Sequence, residues 1–131
     1  MSLLHKLTAA EVAHLAHRAG HHACCAQCQP YASPGWESFP STVSDAALRP
    51  VGALWLAGED EPTLEEPTRA PGVDVWSALA PVDLALHPYN RCQVWACRQC
   101  GKPFLRYTEY GGYYEDQRIR ELQPERLVGA A

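Results

Sequence analysis

The chain has 131 residues, eleven prolines, nine glycines and a formal net charge of -4. That size fits one modest, loop-rich domain, and the acidity argues against a protein whose main work is coating nucleic acid, which needs a Lys/Arg excess. No run approaches the roughly 18 apolar residues of a membrane span, and the first twenty residues lack the apolar core of a signal peptide, so a cytoplasmic location is expected.

The first predicted element is a helix over about 8–20. Thr8 and Glu11 form a capping box, with Leu7 and Val12 placed as a hydrophobic staple. Val12, Leu15, Ala16 and Ala19 repeat at i, i+3, i+4 and i+7, and Gly20 stops the helix. His14, His17 and His21 share one face of it, read as a solvated face rather than a second metal site. The middle, about 30–90, is loop-rich. Trp36 and Phe39 should anchor the Pro30–Pro40 segment. Ser44–Leu48 reads as a short helical turn ended by Pro50, and Val51–Ala57 as a buried strand. Residues 58–72 form an exposed acidic loop carrying Glu59, Asp60, Glu61, Glu65 and Glu66. Asp74–Leu79 suggests a short helix and Val82–Leu86 a strand.

The C-terminal third, about 91–122, reads as a three-stranded meander. Strands are expected at Arg91–Ala96, Phe104–Tyr110 and Tyr113–Leu122, with Gly111-Gly112 as the loop of the last hairpin. The expected fold is a single α+β domain: an N-terminal helix plus a short antiparallel sheet.

Six cysteines in a cytoplasmic chain point to metal ligands or free thiols rather than disulfides. Cys25/Cys28 and Cys97/Cys100 are Cys-x-x-Cys pairs. Each pair can place two thiolates on one ion, and two pairs give the tetrahedral S4 set that zinc prefers. Gly101 lets the second pair curl, and the strand-to-strand setting disfavours a redox Cys-x-x-Cys, which wants a helix start. The gap of about 70 residues between pairs is longer than in ordinary zinc fingers. Near the first pair, Cys24, His21 and His22 are alternative ligands, and Cys92 reads as core. Four thiolates close the coordination sphere, so the expected cofactor is one structural zinc and no enzyme is expected.

Tyr107, Tyr110, Tyr113 and Tyr114 cluster about the hairpin loop, among alternating arginines and acids. Strand alternation turns some of them outward. With Glu59, Asp60 and Glu61 they are candidate partner-binding residues, because tyrosine anchors protein interfaces and acidity suits a basic partner. The alternative is a nucleic-acid face assembled from Arg91, Arg98, Lys102, Arg106, Arg118 and Arg120.

Over Cys97-Arg98-Gln99-Cys100-Gly101-Lys102-x-Phe104 the chain resembles the zinc-ribbon knuckle. More loosely, it resembles small bacterial proteins with a C-terminal Cys-x-x-Cys-Gly hairpin, some of which are immunity proteins of polymorphic toxin systems. The resemblance spans the last third and implies a non-enzymatic, zinc-stabilised protein-binding module. Most concretely it implies an inhibitor of a bacterial toxin, such as a basic nuclease.

Overall fold

Thr8 caps the helix as its sequence demands. In the computed structural model, which describes residues 5–20 and 23–128, the Glu11 amide donates to the Thr8 hydroxyl at 3.1 Å and the Thr8 amide donates to the Glu11 carboxylate at 2.9 Å. This helix, α1, runs Ala9–Ala19 and ends at Gly20, whose φ of 68° suits a residue without Cβ. Leu7, Val12, Ala13 and Ala16 bury its inner face. Among the described residues no helix is long and apolar enough to cross a membrane.

Five antiparallel strands follow: β1 (Glu37–Ser38), β2 (Leu48–Ala53), β3 (Gln93–Cys97), β4 (Pro103–Tyr110) and β5 (Glu115–Glu121), in the order β1-β5-β4-β3-β2. The expected meander is β3-β4-β5. Its last strand starts at Glu115 rather than Tyr113. The Gly111 amide bonds to the Tyr114 carbonyl at 2.8 Å, leaving 111–114 as the loop. A Cβ on Gly111 would lie 2.2 Å from the Tyr114 ring, so glycine lets that ring fold back over the chain.

The expected helical turn before Pro50 and the strand over 51–57 resolve differently. Ser44 and Asp45 make a tight turn, with the Ala46 amide on the Ser44 hydroxyl and the Leu48 amide on the Asp45 carbonyl. The strand starts at Leu48 and carries Pro50 opposite Trp95, with a register shift before Gly52. Proline is tolerated there because β2 is the last strand of the sheet and a bulge adjoins it.

The helix expected over 74–79 and the strand over 82–86 are absent. Asp74, Ser77 and Asp83 accept hydrogen bonds from the amides two residues on, those of Trp76, Leu79 and Ala85. Such local caps compete with both helix and ladder. What remains is a buried strap, Ala80, Val82 and Leu84, with a parallel bridge from Val82 to Leu127.

Strand alternation splits the core between the two sheet faces. On one face Val94, Leu105 and Leu122 pack with α1, Trp36, Tyr89 and the strap. On the other, Leu48, Phe104 and Ile119 pack with Tyr31, Cys28 and Cys97. Trp36 anchors as expected, stacked on Tyr89 at 5.6 Å, and Phe39 joins the second cluster.

Arg120 is fully buried in the first core. It donates to the Tyr89 hydroxyl at 2.8 Å and to the carbonyls of Ala80 at 2.8 Å and Ala78 at 3.4 Å, while its Nε has no acceptor. Burial pushes the Arg120 guanidinium down and the Tyr89 hydroxyl up in pKa. The strap is thus tied to β5 through one buried cation.

Gly35 sets the spacing between the 30–40 segment and the strap. A Cβ there would lie 2.2 Å from the Trp76 carbonyl oxygen. Gly35→Ala must move backbone, so a loss of about 1–3 kcal/mol is expected by denaturant unfolding. An unchanged midpoint would show that the strap is not seated as described.

Candidate metal centre and sheet cleft

The metal centre starts from two tight turns. After Cys25 the chain turns back, with the Gln29 amide donating to the Cys25 carbonyl at 2.9 Å. At the end of β3 the knuckle closes with Gly101 N–H to the Cys97 carbonyl at 2.9 Å and Cys97 N–H to the Lys102 carbonyl at 2.9 Å. Gly101 takes φ 79°, as the curl requires. The Gln99 amide points at the Cys97 sulfur, 3.4 Å away.

Cys25 and Cys97 are 72 residues apart in sequence, yet their sulfurs are separated by 3.6 Å. Cys25–Cys28 is 3.8 Å and Cys28–Cys100 is 3.7 Å. All four sulfurs lie within 4.8 Å of one another. A tetrahedron with metal–sulfur bonds of about 2.3 Å has edges of about 3.8 Å. The spacing therefore suits a single metal ion. None of the described cysteines is in a disulfide.

The long gap is bridged by the sheet. Leu48 pairs with Cys97, and the Arg98 amide bonds to the Ala47 carbonyl, bringing the 24–48 segment across the end of β3 and β4. Tyr31, one helical turn beyond Cys28, packs edge-on to Phe104 at 6.4 Å. The amide of Cys28, with neighbouring thiols, holds Cys25 down to about 7, while burial pushes Cys28 up. Cys24 is half-buried and stands outside the four-sulfur cluster. Cys92 is core, its thiol on the Pro88 carbonyl at 3.3 Å. His21 and His22 lie outside the described residues. His14 and His17 are exposed.

Comparison with known proteins supplies no relative. No family model, no curated protein and no solved structure matches the chain. The reading of its sites rests on their geometry.

The second feature is a cleft of about 770 Å³ on the open half of the metal-bearing sheet face. Trp95, Arg106 and Tyr110 line it from the sheet, Trp55 from the stretch just after β2, Glu61 from the acidic loop, and Asp45 from the turn before β2. The acidic loop and the tyrosine hairpin, read separately in the sequence, thus meet at one site. Tyr110, Tyr113 and Tyr114 are exposed, Tyr113 completely. Tyr107 is mostly packed away: it meets Trp36 edge-on at 4.8 Å, its hydroxyl accepts from Arg118, and burial pushes its pKa up to about 12. Glu59 is held by Lys6 at 2.6 Å and by the Leu56 amide. Asp60 and Glu61 are exposed.

The basic residues do not form a face. Lys102, Arg106 and Arg120 are buried. Lys102 pairs with Glu121 at 3.2 Å, and Arg118 pairs with both Glu109 and Asp116. Sequence reasoning missed Trp55, Trp95 and Asp45 as cleft residues. The alternation Gln93-Val94-Trp95 marks Trp95 as facing away from Val94, but nothing local places Trp55 or Asp45 opposite it.

Proposed function

We propose that this chain is a non-enzymatic protein-binding module held together by one structural zinc. Most concretely, it is a cytoplasmic inhibitor of a basic protein, such as a nuclease toxin. The single observation that carries the binding role is the cleft, because it brings Glu61 of the acidic loop beside the exposed Tyr110 of the hairpin. Aromatic anchors beside unpaired acids suit a basic protein surface, where charge complementarity speeds encounter and excludes wrong partners. Zinc is assigned to the cysteine cluster because four thiolates in a tetrahedron fit it; iron is the other ion that takes such a set. With four thiolates the ion has no open position, so it serves the fold. The nucleic-acid reading loses its main support, since most of the cations it needs are buried or paired within the chain.

The test is recovery of a complex from the native cell with the full chain as bait, beside a Tyr110→Ala/Tyr113→Ala variant. Both positions are exposed, so the variant should keep its metal and fold. A stoichiometric basic protein, bound at least tenfold more weakly by the variant, is the expected result. No complex, or one indifferent to the variant, contradicts the proposal.

A further inference from the structure

We infer that the cleft receives the cationic side chain, an arginine or lysine, of a basic segment of the partner. This rests on the protein-binding reading above and names what the site recognises.

The charges of the cleft are sorted by depth. Of its two arginines, Arg106 is buried and Arg91 half-buried, its guanidinium turned onto backbone carbonyls. Arg106 is buried between the rings of Phe39 and Trp95, 4.2 and 4.6 Å from their centroids, and donates to Asp45 and Gln117, each at 3.2 Å. Arg91 donates to the carbonyls of Pro62 at 3.1 Å and Thr63 at 3.4 Å, and its Nε is buried. The carboxylates are presented instead. Glu61 is exposed and makes no hydrogen bond or ion pair among the described residues. The Asp45 side chain is 50% exposed, with only one oxygen held by Arg106. Asp60 adds a second unpaired carboxylate beside Glu61. An incoming group therefore meets acids first.

The aromatic walls are prepared for the same guest. The Trp55 indole N–H donates to the Asp60 carbonyl at 3.0 Å, and that of Trp95 to the Gln93 side chain at 2.9 Å. Both rings are thus fixed, with their polar edge already used. What Trp55 has left to offer is its π face, which attracts cations, while Trp95 already carries Arg106 over one face of its ring. The protein uses this pairing internally, with Arg106 over Trp95 and Arg118 over Trp76 at 4.1 Å. The volume is that of a ligand site and admits a long side chain with its flanking backbone. A phosphate-bearing strand would meet Glu61, Asp60 and Asp45 and be repelled.

The experiment titrates metal-loaded full chain with an acetylated, amidated (Gly-Arg)4 peptide and with its citrulline counterpart. Citrulline keeps the shape of arginine and removes its charge. Tryptophan indole and backbone amide NMR signals are followed. The expected result is shifts at Trp55, Trp95 and residues 56–61, with the citrulline peptide binding at least fivefold more weakly. Glu61→Gln should weaken the arginine peptide at least threefold, and Glu37→Gln, an exposed acid on β1, much less. Equal binding of the two peptides, or equal cost at Glu37 and Glu61, overturns the inference. Either outcome leaves the protein-binding reading standing or falling on its own test, which reads Tyr110 and Tyr113 rather than arginine charge.

Discussion

Cys97→Ser is expected to lose the bound metal and more than about 4 kcal/mol of stability, a large part of the ~5–15 kcal/mol that holds a domain of this kind. Cys97 is buried and belongs with Cys28 to the second core, beside Leu48, Phe104 and Ile119. Without the ion, that cluster has two half-buried thiols, Cys25 and Cys100, and the Cys25–Cys28 turn loses its direct tie to the knuckle, leaving the β1–β5 and β2–β3 pairings and the Tyr31–Phe104 contact to hold its segment on the sheet. Metal content and denaturant unfolding check this together. Cys24→Ser is the control: its sulfur lies outside the cluster, so it should keep one ion per chain and change stability by less than about 1 kcal/mol. A Cys97→Ser protein that holds its metal and unfolds like the parent would show that the ligand set is wrong.

Tyr89→Phe is expected to cost about 2–4 kcal/mol although it removes one oxygen. That hydroxyl accepts from the buried Arg120 at 2.8 Å and from the Trp36 indole at 3.2 Å. Deleting it leaves a buried cation with fewer acceptors and a buried indole N–H with none. No carboxylate is placed to compensate, since Arg120 is otherwise held by the Ala78 and Ala80 carbonyls. Adding Arg120→Met to Tyr89→Phe should recover at least about 1 kcal/mol, because the costly element is the stranded charge rather than the lost bond. Denaturant midpoints of the two single variants and the double variant test it. If Tyr89→Phe is silent, Arg120 finds its compensation elsewhere.

These two sites differ in how far they could be read from residues alone. The capping box at Thr8 and Glu11, the knuckle at Cys97 and the meander around it are written in local spacing; the meander stands with shifted ends, its first strand starting at Gln93 rather than Arg91 and its last at Glu115 rather than Tyr113. The pairing of the two Cys-x-x-Cys turns was legible too, because two such pairs together make the four-thiolate tetrahedron that a single metal ion takes. The rest depends on contacts between distant segments. Pro50 reads as a breaker until its strand is known to lie at the sheet edge. Asp74 and Ser77 sit in an apolar run that reads as a helix, yet their side chains cap the turns instead. Arg106 and Arg120 look like surface charges on an alternating strand. Their burial depends on Asp45, Phe39 and Tyr89, none of them near in sequence. The cleft is the extreme case: Trp55, Glu61 and Tyr110 come from three segments and meet only once the sheet has formed.

Elemental analysis followed by K-edge X-ray absorption of the ion found, on freshly purified, untagged full chain, tests the central claim most directly. The expected spectrum is one zinc per chain with four sulfurs at about 2.3 Å and no lighter ligand. Iron in place of zinc would correct the ion and leave the cysteine set in place. Nitrogen or oxygen in the zinc shell, or no stoichiometric metal at all, would contradict the account.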